Sequence, residues 1–242
     1  MVMPLYDDNP FRLPHRPVVT WMLIVTNLFV FLVELAVGNP EQVVESFGLT
    51  PALFIGEVHV AGVLPPILTP FTYMFLHANV SHMFGNMLFL WVFGDDIEEA
   101  LGRRRFLGFY LLCGILAGLG FVVSDPHAQT PLIGASGAIS GVVIAYVMLR
   151  PCAKVTALLL DLIPVRISAY WVIGTFIVIQ FINLEASAKS EVAYWCHVAG
   201  MISGAILFPV MRPVGVLLFE CVRPPKVPVF ATGTGATPGA PS

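Results

Sequence analysis

The chain has 242 residues, 57% of them hydrophobic and 11% charged, with a net charge of −3 and a mean hydropathy of +0.85. Soluble domains carry roughly 25% charged residues, so this composition excludes a water-soluble globule and indicates an integral membrane protein in contact with a lipid bilayer. Arg103-Arg104-Arg105 is the one basic cluster, which excludes nucleic acid as a partner.

Residues 1–17 read as a short polar leader holding Arg12 and Arg16. The apolar run Val18–Val37 follows, and its 20 residues suffice to cross a hydrocarbon core of about 30 Å. No A-x-A cleavage pattern accompanies it, so it reads as a retained span. Residues 38–70 are apolar but broken by Gly38, Pro40, Pro51, Gly62, Pro65, Pro66 and Pro70. Such a loop is expected to lie partly in the membrane interface. The second span is expected from about Ser81 to Gly94, ahead of a charged turn from Asp95 to Arg105. A third covers Phe106–Ser124, a fourth Gly134–Leu149, a fifth Ala169–Leu184 and a sixth Val192–Met211. Between the fourth and fifth, residues 150–168 are mixed in character. The tail from Arg212 ends in a Gly/Pro/Thr/Ala stretch, residues 231–242, expected to be disordered. Cys113, Cys152, Cys196 and Cys221 form no CxxC pair and no secreted-domain spacing, so neither a metal site nor a disulfide framework is expected.

Basic residues set the orientation. With six spans and a cytoplasmic N-terminus, the inside segments hold Arg12, Arg16, Arg103, Arg104, Arg105, Arg150, Lys154, Arg166, Arg212, Arg223 and Lys226, and the outside segments hold only Lys189. Adding or removing a span destroys that asymmetry. The expected fold is an all-α bundle of six transmembrane helices over residues 18–211. Both termini are cytoplasmic, with 1–17 as leader and 212–242 as tail.

In this arrangement spans two, four and six all start at the outer face, and each carries its unusual polar residues near that start. Span two has His82 and Asn86, an i, i+4 pair on one helical face. Span four has Ser136, and span six has His197. Gly137-x-x-x-Gly141 and Gly200-x-x-x-Gly204 are faces that let membrane helices approach backbone to backbone. If they meet, Ser136 and His197 share the top of one seam. Span four is short, about 24 Å at 1.5 Å per residue, so its start is sunk and can line a water-filled cavity. A serine hydroxyl needs a base within hydrogen-bond reach, for which His197 is the candidate. Spans two, four and six hold no Asp or Glu near the outer face, so a dyad is expected. Asn86, His82 and the Ser136 backbone N–H are the candidate oxyanion donors.

These residues resemble a known family. His82-x-x-x-Asn86, Gly134-x-Ser136-Gly137 and His197-x-x-Gly200-x-x-x-Gly204 look like a rhomboid intramembrane serine protease of the prokaryotic six-span type. Phe93-Gly94-Asp95, Glu98, Leu101-Gly102 and Arg105-Phe106 extend the resemblance, which covers about residues 18–212. It implies a serine endopeptidase, without cofactor or metal, cutting transmembrane protein substrates near the outer face. Ser136 would be the nucleophile, His197 the base, and His82 with Asn86 the oxyanion donors. It also implies a mobile fifth span or capping loop. The compact six-span form with a short leader suggests a prokaryotic plasma membrane, with an organelle membrane as the alternative. Two departures stand out. The first loop lacks the Trp-Arg pair that some members carry, and Ser140 occupies the position where some place an aromatic against the catalytic imidazole.

Other readings are weaker. A non-catalytic rhomboid-like binder of membrane helices would lack the Ser136 and His197 pair. A transporter would show internal repeats and paired midplane charges, whereas Glu34 is the only acidic residue well inside a span. His77 is expected to stabilise its loop, and Cys196 projects about 100° from His197 on a helix.

Overall fold

The computed structural model describes residues 2–7, 16–60, 62–159, 163–184 and 193–221. It is mostly helical. Strand β1 (Val2–Asp7) precedes the long helix α1 (Val18–Ala36). The first loop contains α2 (Pro40–Phe47) and the single turns α3 (Pro51–Phe54) and α4 (Thr69–Thr72), the last flanked by 3-10 turns at Pro66–Leu68 and Tyr73–Phe75. Then come α5 (Val80–Leu101), α6 (Arg103–Ser124) and α7 (Ser136–Leu149). Strands β2 (Lys154–Leu159) and β3 (Ile163–Ser168) lead to α8 (Ala169–Ile182) and α9 (Tyr194–Met211).

Each of the six apolar runs holds one of the longer helices. Three helices, α1, α6 and α9, are long and apolar enough to cross a membrane by length and composition, and α7 and α8 are shorter apolar helices. Helix α5 runs on past Gly94, because Asp95, Asp96, Glu98 and Glu99 contain no breaker. It stops at Gly102, whose φ of +77° favours a residue without Cβ. The charged segment expected as a turn is thus helical.

Helix α7 is the axis of the bundle, packed against α5, α6, α8 and α9 and buried along nearly its whole length. Its small residues make this possible. A Cβ on Gly204 would lie 2.6 Å from Gly141 Cα, and one on Gly200 would lie 3.0 Å from the Gly137 carbonyl carbon. The two glycine pairs expected from sequence therefore face each other, and any larger residue would push α9 off α7. Phe93, Phe106, Phe109, Tyr110, Tyr146 and Phe208 fill the remaining core.

At the far end of the bundle α5 caps α1. Pro17 offers no side-chain cap, but Glu98 accepts the N–H groups of Val19 (3.0 Å) and Thr20 (2.8 Å) and the Thr20 hydroxyl (2.9 Å). A buried carboxylate here satisfies helix-start donors that have no partner within α1. The side chain of Arg150, after α7, pairs with Asp96 of α5 at 3.2 Å in the same region.

Two further features depart from the sequence reading. Residues of the expected leader and of the 150–168 segment form an antiparallel sheet in the order β1-β2-β3. The partners β1 and β2 lie about 150 residues apart, and the irregular register between Pro4 and Tyr6 sits on an edge strand, where proline is tolerated. The expectation of no disulfide is also corrected. Cys152 and Cys221 are bonded, with Cα atoms 5.1 Å apart across 69 residues. The chain after α9 folds back to the end of α7, where the Phe219 N–H donates to the Met148 carbonyl at 2.6 Å. Cysteine spacing carries no trace of that approach. Residues 231–242 lie outside the described residues, as do Arg12, Lys189, Arg223, Lys226 and residues 185–192 between α8 and α9.

Candidate active site

The start of α7 is held by the segments before it. Leu49 and Leu132 exchange backbone hydrogen bonds at 3.0 and 2.9 Å, tying the first loop to the segment ahead of α7. The Gly134 N–H donates to the Tyr73 carbonyl at 2.9 Å, and the fully buried Tyr73 donates its hydroxyl to the Gly114 carbonyl on α6 at 2.7 Å. Gly134 has φ +119°, and a Cβ there would lie 2.7 Å from His82 Cε1. Only glycine fits both demands. Ser136 then opens the helix, where the first N–H groups lack intrahelical acceptors and favour negative charge.

The glycine seam brings α9 beside this point. His197 Nε2 lies 2.8 Å from Ser136 Oγ, and His197 Nδ1 lies 2.7 Å from Gln180 Oε1 on α8. The rings of Phe176 and Tyr194 flank the imidazole at centroid distances of 6.5 and 6.4 Å. Ser136 and His197 are half-buried. Cys196 instead turns its thiol to the Tyr73 hydroxyl, 3.7 Å away.

Helix α5 supplies the third side. Asn79 caps it by accepting the His82 N–H at 2.8 Å. One turn apart, His82 and Asn86 face Gly134, the Asn86 amide nitrogen lying 3.7 Å from a Cβ placed on that glycine. The Asn86 Nδ2 also pairs with His77 Nε2 at 3.1 Å, and the His77 N–H donates to Glu34 of α1 at 3.3 Å. His77 therefore ties its loop down and also touches Asn86. The structure brings Ser136, His197, His82, Asn86 and Gly134 to one place, with Gly137, Gly141, Gly200 and Gly204 on the seam below. Sequence reasoning missed Gln180, a lone amide inside the apolar run 169–184, because a single polar residue without a spacing partner does not say what it faces.

A profile of the Rhomboid domain matches residues 67–213, more than half of the chain. The chain belongs to the rhomboid family. Rhomboid protease GluP of Bacillus subtilis (strain 168) is 32% identical over 194 residues, which is 78% of this chain and 34% of GluP. RHOMBOID-like protein 12, mitochondrial, of Arabidopsis thaliana is 26% identical over 209 residues, 78% of this chain and 57% of that protein. Presenilin-associated rhomboid-like protein A, mitochondrial, of Danio rerio is 36% identical over 102 residues, 41% of this chain and 26% of the relative. These matches span between about a quarter and somewhat over half of the relatives' lengths. As a rhomboid-family member with these apolar helices, the chain is an integral membrane protein. Among the described residues no group of three His, Cys, Asp or Glu side chains is arranged to hold a metal ion.

Proposed function

We propose that this protein is an intramembrane serine endopeptidase that hydrolyses peptide bonds in or near the transmembrane helices of membrane-anchored proteins. The observation that carries this reading is the 2.8 Å contact between Ser136 Oγ and His197 Nε2 at the start of a buried helix. His197 takes the Ser136 proton as Oγ attacks the scissile carbonyl, forming a tetrahedral intermediate. The oxyanion is held by the Ser136 N–H with the side chains of His82 and Asn86. Collapse breaks the C–N bond, and the leaving amine takes the proton from His197. Water, deprotonated by the same imidazole, then releases the acyl group from Ser136. A substrate helix must unwind to present its carbonyl, so helix-weakening residues near the cut favour cleavage.

The same proposal includes six spans with both termini cytoplasmic. The 11-to-1 bias of basic residues supports it. So does the meeting of the starts of α5, α7 and α9 at one end of the bundle, while Glu98 and Arg150 lie at the other. We assign the protein to a bacterial plasma membrane, in keeping with its 32% identity to the Bacillus subtilis relative over 78% of this chain, although mitochondrial relatives match it at 26–36% identity. Its partners are transmembrane protein substrates and the lipid bilayer.

A fluorophosphonate probe tests the nucleophile. Covalent labelling of wild type on Ser136, absent from Ser136→Ala and His197→Ala, is the expected result. A folded wild type that resists labelling would favour a helix-binding role without catalysis.

A further inference from the structure

The contact with Ser136 accounts for only one nitrogen of the His197 ring. The other, Nδ1, meets Gln180 Oε1 at 2.7 Å. Gln180 is 5% exposed, whereas its helical neighbours Ile179, Phe181 and Ile182 are 43%, 54% and 72% exposed. One carboxamide is thus turned inward from the half of α8 that otherwise faces outward. It ends on the imidazole rather than on a backbone group.

We propose that Gln180 is the positioning residue that keeps His197 protonated on Nδ1, with its Nε2 lone pair aimed at the Ser136 hydroxyl; the catalytic meaning of this rests on the protease reading above. A neutral imidazole has one N–H and one acceptor nitrogen. A carboxamide oxygen only accepts, so the nitrogen facing it must carry the hydrogen. The opposite nitrogen is then free to receive the serine proton, and the flipped tautomer could not act as base. When His197 takes that proton its ring becomes cationic. The Nδ1–H···Oε1 bond then becomes charge-assisted and strengthens as the tetrahedral intermediate forms. A carboxylate would do this more strongly in water. At membrane depth, however, it adds a buried charge in the resting state, which a carboxamide avoids. Ser140 stands where an aromatic could press on the ring, and the orienting contact comes instead from α8.

The experiment uses full-length protein carrying 15N-labelled histidine, as wild type, Gln180→Leu and Gln180→Glu, with the His197 resonances identified by their loss in His197→Ala. In wild type the neutral ring of His197 should show the hydrogen on Nδ1. Gln180→Leu should lose that signature and slow fluorophosphonate labelling of Ser136 by about 10- to 100-fold, the worth of a hydrogen bond to a group that becomes charged. With a reporter substrate, kcat should fall while KM holds. Gln180→Glu, which keeps an acceptor at the same reach, should retain the signature and recover most of the labelling even if Gln180→Leu folds poorly. A wild-type ring protonated on Nε2, or wild-type labelling by folded Gln180→Leu, would overturn the proposal. An Nδ1-protonated ring in a protein that neither labels nor cleaves would sustain the positioning geometry and sink the protease reading.

Discussion

Ser136, His82 and Asn86 meet around Gly134, a residue without a side chain. Its φ of +119° and the 2.7 Å that would separate an added Cβ from His82 Cε1 leave no room for a methyl group. Gly134→Ala should therefore cost about 1–3 kcal/mol of stability from backbone strain, read as a lower Tm, and should displace His82. Asn86→Ala is a milder change with a sharper meaning. Losing one oxyanion donor should lower kcat by about 100-fold or more, while the protein stays folded and KM changes little. An Asn86→Ala variant with wild-type kcat would remove Asn86 from the oxyanion role. Most of this site was legible in the sequence, because His82, Asn86, Ser136 and His197 stand at matching depths in three runs. Gln180 was not, because a lone amide has no spacing partner and only the packing of α8 on α9 turns it to the ring.

At the scale of elements, two contacts fix the helices that present the site. The α7–α9 seam has glycine on both sides, so Gly204→Leu must push α9 away from Gly141 and carry His197 with it. Overpacking of this kind costs about 1–3 kcal/mol; a falling Tm together with lost probe labelling is the expected pair of readouts. This seam was readable from the small-x-x-x-small pattern alone. At the other end Glu98 was noticed only as part of a family pattern, and its work is to cap α1. Glu98→Ala leaves buried N–H donors of α1 without that acceptor and should destabilise by about 1–3 kcal/mol, measured as a loss of Tm with the site chemistry intact in the surviving folded fraction. The β1–β2–β3 sheet was invisible from sequence for a different reason. Its pairing joins residues 2–7 to residues 154–159, and strand patterns this short do not announce partners so far away.

For the molecule as a whole, the disulfide and the proposed topology bear on each other. Cys152 and Cys221 sit at the end of α7 and beyond the end of α9, the ends we assign to the cytoplasm. Disulfides are rare in a reducing cytosol, so the bond should form in protein purified without reductant and open to a dithiol when reductant is added. Opening a cross-link that spans 69 residues removes up to about 4 kcal/mol in the loop-entropy account. A lower Tm on reduction, matched by Cys152→Ser without reductant, is the expected outcome. Composition and the succession of apolar runs made the membrane class and helix order legible at this scale. The return of the tail to α7 was not, since it depends on a backbone contact at Met148 and on no sequence pattern.

The central claim is that Ser136 and His197 cut peptide bonds at the membrane. It is tested most directly by reconstituting the purified protein in liposomes with a reporter transmembrane segment and following the cleavage products by mass spectrometry. Wild type should cut the reporter near its outer end, and Ser136→Ala and His197→Ala should each lower the rate by more than about 1,000-fold. Cleavage that persists in folded Ser136→Ala would contradict the account.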